Sequence, residues 1–181
     1  MNRRFFAVTL VLSLALVGWA CGGKSAEEKK AEAVTKSQPA QPEAVQPEDP
    51  EAAAVKAEGA AVAKEILDAF DKAVAEAADL AKDKPAAAEL KPRLEAILER
   101  YKKRMTDLNL RFLALKDKDV RAFGAANGYM GENRGRHVFN MYNENALGPA
   151  IAFYNIEKNE QEIVELLTKK IIELIDIAVK M

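Results

Sequence analysis

Apolar residues recur every three or four positions through most of residues 51–181, a spacing that predicts amphipathic helices. One apolar stripe runs from Val55 to Leu80, a second from Leu90 to Leu115, and a third from Ile156 to Ala178. Helix-breaking residues near positions 84, 117 and 148 divide this region into four segments of nearly equal length. The pattern therefore predicts an all-α, up-down-up-down four-helix bundle.

Charged residues beside the first two stripes predict how those two helices pair. Acids flank the first stripe and arginines flank the second: Glu58, Glu65, Asp68 and Glu76, then Arg93, Arg100, Arg104 and Arg111. In an antiparallel hairpin that turns near residue 84, residues at one level have numbers that add to about 168. Three Glu–Arg combinations add to 169, and Asp68 with Arg100 adds to 168. The prediction is a ladder of ion pairs, the alternative being an anion-binding surface made by the arginines.

The third segment, residues 118–147, contains an unusual stripe of glycines. Gly124, Gly128, Gly131 and Gly135 are spaced by four, three and four residues. Each glycine costs about 1 kcal/mol in a helix interior, so four of them need an explanation. Either a neighbouring backbone approaches the stripe closely, or something packs into a groove there. A third alternative is that the helix is interrupted by a turn at Asn127-Gly128.

Arg134 is predicted to point inward from this third segment, with Asn127 on the same face and His137 at its edge. A buried guanidinium needs partners. A helical hairpin turning at residue 148 brings Glu160 to within about one turn of Arg134. One interpretation is a buried Arg134–Glu160 pair whose hydrogen bonds are completed by Asn127 and His137. The other is a pocket for a small anionic ligand or a partner carboxylate, formed by Asn127, Gly128, Gly131, Arg134, His137 and Glu160.

The N-terminus has the pattern of an export signal. Arg3 and Arg4 precede an apolar run from Phe5 to Trp19, and Ala20 and Cys21 follow it. The run has about 15 residues, shorter than the roughly 20 that a membrane-spanning helix needs. A cleavable signal over residues 1–20 is therefore predicted.

A cysteine directly after such a run resembles the lipobox of bacterial lipoproteins. The resemblance covers the first two dozen residues and departs from the pattern at Gly18, where a lipobox usually has Leu or Val. It implies acylation of Cys21 and anchoring of the chain in a membrane by those acyl chains. Gly22 resembles outer-membrane retention, which implies a periplasm-facing protein or, alternatively, one at the cell surface. Gly18-Trp19-Ala20 also fits an ordinary secretory cleavage site, which would release a soluble periplasmic protein with a free Cys21.

Residues 21–50 are predicted to be a disordered tether. From residue 22 on, this stretch contains four prolines, no aromatic residue and charges of both signs, a composition that cannot bury enough apolar surface to order itself. A coil of this length spans roughly 30 Å. The predicted organisation is therefore a signal peptide (1–20), a lipidated tether (21–50) and a helical domain (51–181).

Composition narrows the possible functions. The chain carries one Cys and one His, which leaves no intrachain disulfide, no Cys/His zinc cluster and no Cys–His dyad within the fold. We predict no metal, no cofactor and no enzymatic activity. A net charge of −1 does not suit nucleic-acid binding. The predicted function is interaction with another envelope protein, through exposed apolar residues such as Leu110, Leu113 and Phe139; binding of a small anionic ligand on the third helix is the alternative.

Overall fold

The computed structural model describes residues 49–181, and every regular element among them is helical, as predicted. Three long helices come first: α1 (Pro50–Ala81), α2 (Ala87–Lys118) and α3 (Val120–Asn140). A short α4 (Gly148–Ala152) continues into a π-helical turn over Phe153–Glu157. The last helix comprises α5 (Gln161–Glu165), a π-helical turn over Leu166–Lys170, and α6 (Ile171–Ala178). The predicted signal, Cys21 and the tether up to residue 48 lie outside the described residues.

Helix α1 is central, because it packs against α2, α3 and α6. Its buried face is wide and rich in small residues, which lets helices approach it from several sides. Large side chains such as Ile66 and Phe70 fill the remaining space in the core. The fully buried alanines of this face are Ala63, Ala69, Ala73, Ala77 and Ala81.

The closest approach between helices occurs at Gly59 of α1. A Cβ atom added to Gly59 would lie 1.9 Å from the carbonyl oxygen of Ala122 in α3. Further along, His137 of α3 contacts Asp71 of α1, with Nδ1 2.8 Å from a carboxylate oxygen. Because both contacts follow the same order along the two helices, α1 and α3 run in the same direction.

The last helix lies along α2. Lys91 Nζ donates to the Glu162 carboxylate at 2.7 Å, and the Asn109 side-chain amide donates to the carbonyl of Ala178 at 3.1 Å. These contacts also keep one order, so α2 and α5–α6 run in the same direction. Helices α3 and α6 both pack against α1 and α2, but the edge between α3 and α6 is nearly free of direct backbone contact. The direct pairing of α3 with the last helix, expected from a hairpin at residue 148, is therefore absent.

The ion pairs between α1 and α2 are shifted from the predicted ladder. Glu76 pairs with Arg100, Glu65 with Arg111 and Glu58 with Lys118, and the two residue numbers in each pair add to 176. Among the predicted combinations, Glu65–Arg104 is present at 3.7 Å. Helical side chains lean toward the N-terminus of their own helix. In an antiparallel hairpin, an acid on α1 therefore meets a base on α2 that lies farther from the turn.

The connections also differ from expectation. A single residue, Asp119, separates α2 from α3, and its side chain accepts from the backbone N–H of Arg121 at 2.7 Å. Helix α3 ends at Asn140 rather than near residue 147. The segment between α3 and α5 contacts the turn between α1 and α2: the Tyr154 hydroxyl donates to the carbonyl of Pro85 at 2.6 Å.

Asn159 with Glu162 resembles a capping box, which predicts a break in the last helix near residue 158, and the break is present. The capping box is not: Asn159 has a positive φ of 54°, and α5 starts after Glu160 without a side-chain cap. Asn tolerates this backbone conformation better than most residues do. Ile156, predicted to be part of the core, is 78% exposed, because it lies in the π-helical turn before the break.

Candidate functional site

The open edge between α3 and α6 forms a groove of about 590 Å³. Its polar lining is Asn127 and Arg134, and two glycines, Gly131 and Gly135, form part of the α3 wall. The groove thus brings together three of the predicted site residues: Asn127, Gly131 and Arg134. Its apolar lining comes from both helices and the C-terminus: Met130, Val138, Ile172, Val179 and Met181.

Arg134 does not form the predicted buried pair. Its guanidinium donates to the Asp176 carboxylate at 2.5 Å, and the Arg134 side chain is 42% exposed. Glu160 is exposed at the start of α5. The prediction placed the chain reversal at residue 148, whereas residues 141–160 together form the connection and shift the pairing by about four helical turns. The same shift is why Asp176 was missed as the partner.

Asn127 and His137 do not complete hydrogen bonds to Arg134 either. The Asn127 side chain donates to the carbonyl of Phe123 in its own helix at 3.0 Å. The His137 ring lies on the side of α3 that packs on α1, where it contacts Asp71 and is 17% exposed. His137 therefore fastens α3 to α1 and does not line the groove.

The four glycines of α3 face outward. A Cβ atom added to any of them would meet nothing within 4 Å, and all four are exposed. They lie opposite the buried Ala122, Ala126 and Met130. The helix is continuous through Asn127-Gly128, so the predicted alternative of a turn there is wrong. Close packing among residues 49–181 does not explain these glycines either, because the close approach is made by Gly59 instead.

Exposed apolar side chains lie at both ends of the glycine stripe. Val120 is 73% exposed at the start of α3, and Phe139 is 71% exposed near its end. The exposure of Phe139 agrees with the sequence-based prediction; Val120, which the helical period places on the apolar face of this segment, is exposed instead. We call the surface formed by these side chains and the glycines the outer face of α3; it consists of Val120, Gly124, Gly128, Gly131, Gly135 and Phe139. On α2, Leu110 is also exposed, as predicted, and Leu113 is half-buried.

The start of α3 is fixed electrostatically beside Val120. Asp119 accepts hydrogen bonds from the side chain and the backbone of Arg121, which lower the pKa of the Asp119 carboxyl to about 2. The same hydrogen bond and charge raise the pKa of Arg121. A carboxylate at a helix N-terminus also interacts favourably with the helix dipole. The N-terminal end of the outer face is therefore held in place by a strong local contact.

Within residues 49–181, no helix is long and apolar enough to cross a membrane. The same residues contain no group of three or more His, Cys, Asp or Glu side chains placed to hold a metal ion. The chain matches no protein-family model, no curated protein and no solved structure.

Proposed function

We propose that the protein is a lipid-anchored envelope protein whose helical domain binds other proteins through the outer face of α3. The observation that carries this proposal is the exposure of Val120 and Phe139 at the two ends of a glycine-lined helix. Apolar side chains along one face of a helix are the positions that a partner helix or groove contacts. Glycines remove the side chains that keep two helices apart, so a partner helix can approach the α3 backbone closely.

The proposed location follows from the N-terminus. Removal of residues 1–20 and acylation of Cys21 would anchor the chain, most simply in the outer membrane with the domain facing the periplasm. Residues 21–50 would let the domain search a radius of roughly 30 Å. Residues 51–181 would form an up-down-up-down four-helix bundle, which the common direction of α1 and α3, and of α2 and α6, supports.

The alternative, a small anionic ligand at Arg134, has less support. Asp176 already occupies the guanidinium, so an anion would have to displace a carboxylate. Gly128 and His137, two residues of the proposed ligand set, do not line the groove. Protein docking needs neither residue as a ligand and uses the exposed apolar side chains directly.

The test places a photoreactive side chain at Gly135 of the full chain in bacterial membranes, with a control at exposed Lys103 on α2. We expect cross-links from position 135 to a helix of an envelope protein or of a second copy, located by mass spectrometry, and none from position 103. Equal cross-linking from both positions, or none from 135, would refute docking at α3. Intact mass of the membrane-derived chain, compared with Cys21→Ala, tests the anchor: an acylated mature form must appear only with Cys21.

A further inference from the structure

The outer face of α3 is complementary to itself. Its glycines are spaced by four, three and four residues, an order that is the same in both directions. In an antiparallel pair related by a two-fold axis, residues whose numbers add to 259 lie level. Gly124 then faces Gly135 of the second copy, and Gly128 faces Gly131. A surface of this kind can form the isologous contact that two-fold symmetric dimers use.

The residues beside the stripe fit the same register. Val120 and Val138 are 18 residues apart, or five helical turns, so they lie in line on the groove side of the stripe. Val120 of one copy comes within one residue of being level with Val138 of the other. On the opposite side of the stripe, Arg121 and Phe139 are also 18 residues apart. Arg121 of one copy therefore lies within one residue of being level with Phe139 of the other. The exposed Val120 thus meets the half-buried Val138 on one flank, and a guanidinium meets an exposed aromatic ring on the other.

Charge also permits this contact. The outer face carries no charged side chain, so two copies do not bring like charges together at its centre. The one acid within α3 is Glu132, which is exposed; Asp119, beside Val120, is paired with Arg121. In this register the two copies of Glu132 are offset by five residues, about 7.5 Å along the helix axis, where solvent and salt screen their repulsion.

We propose that a second copy of this chain docks antiparallel on the outer face of α3, with the two-fold axis between Gly128 and Gly131. This inference rests on the proposed function, because it names the partner of the same surface. One helix from each copy buries little surface compared with the about 1,200 Å² of a stable interface, so the contact is weak in dilute solution. Anchoring two chains in one membrane raises their effective concentration and favours it.

The experiment uses disulfide trapping of the full chain in bacterial membranes. The variants are Val120→Cys with Val138→Cys, and each substitution alone. We expect the double variant to form a covalent dimer on oxidation. Each single variant stays monomeric, because a cysteine and its own copy lie more than about 25 Å apart along the axis. The wild-type chain, whose only cysteine is Cys21, measures the background.

Two further variants test the face itself. Gly128→Leu in the double variant should abolish the dimer, while leaving the fold intact because its side chain enters open space. Leu110→Ala, at an exposed position on α2, should leave the dimer unchanged. A double variant that stays monomeric, or single variants that cross-link as readily as the double, would overturn the antiparallel dimer.

Adding Cys21→Ser to the double variant distinguishes a failure of membrane anchoring from a failure of self-association. If the chain is anchored but the double variant does not cross-link, self-association is wrong and anchoring stands. If cross-linking is unchanged by Cys21→Ser, self-association is correct and the anchor does not support it. A cross-link that decreases several-fold on loss of Cys21 supports both.

Discussion

The α-carbon of Gly59 lies against the carbonyl of Ala122, so close that no side chain fits between α1 and α3. This contact sets the distance between the two helices, and Glu58–Lys118 lies beside it. It also explains why a helix former as poor as glycine occupies the interior of a 32-residue helix.

Gly59→Ala should destabilise the chain although alanine is the better helix former. The added methyl group forces α1 and α3 apart, at a cost of roughly 1–3 kcal/mol for an overpacked site. Gly124→Ala is the matched control: its methyl group meets nothing, so it should raise the free energy of unfolding by up to about 1 kcal/mol. Urea unfolding at low protein concentration measures both. Stabilisation by both substitutions would mean that the Gly59 contact is not tight.

Removing the Arg134–Asp176 ion pair should lower the free energy of unfolding only slightly. The pair is exposed on both sides, so Arg134→Met and Asp176→Asn should each lower the free energy of unfolding by less than about 1 kcal/mol. The double variant should cost no more than the larger single change, and Glu160→Gln should have no effect. Urea denaturation checks this, and an unfolded Arg134→Met chain would instead favour a buried pair.

Asp119 should make stability depend on acidity. Its folded pKa of about 2 lies below the ordinary 3.8, so its contribution is present above pH 3.8 and is lost as the pH falls toward 2. Asp119→Asn should therefore be less stable than the wild type at pH 7, and the difference should shrink by pH 2.5. Urea unfolding at the two pH values tests this against Asp117→Asn, an exposed neighbour. A difference that stays constant with pH would contradict it.

Tyr101 should make the free energy of unfolding decrease as the pH rises through the alkaline range. Burial, helped by a hydrogen bond to Glu76, raises the pKa of Tyr101 to about 12. Its contribution is fully present below pH 10, and is lost as the pH rises toward 12, because the unfolded chain ionises first. In Tyr101→Phe, stability should fall less steeply over this range, whereas Tyr142→Phe, at an exposed position, should leave the slope unchanged. Unfolding curves at pH 9 and pH 11 give the comparison.

The sequence contained enough information to locate the helices and their buried faces. Every predicted core position on α2, from Leu90 to Leu115, is buried, because a 3.6-residue period identifies one side of a helix whatever it packs against. Which residue meets which across two helices was harder to predict. Apart from Glu65–Arg104, the ion pairs from Glu58 to Glu76 lie seven residues from the predicted ones, since number matching treats side chains as perpendicular to the helix axis.

The candidate site was predicted only in part, for a related reason. Periodicity placed Asn127 and Arg134 near one face but did not reveal that α3 packs on α1 and leaves α6 at a distance. The partner of Arg134 depended on a connection of about 20 residues whose shape no local pattern specified. The glycines of α3 were recognised as unusual, but only the structure shows that they are exposed while Gly59 makes the close contact.

The early start of α1 has a mechanical consequence. Its first residues extend about 10 Å beyond the level at which α3 begins, and most of them are exposed. A pull applied at Pro50 is therefore transmitted along the axis of the most enclosed helix. Such a force slides α1 against α2 and α3 together and must break their contacts in shear, which resists extension better than peeling away a peripheral helix.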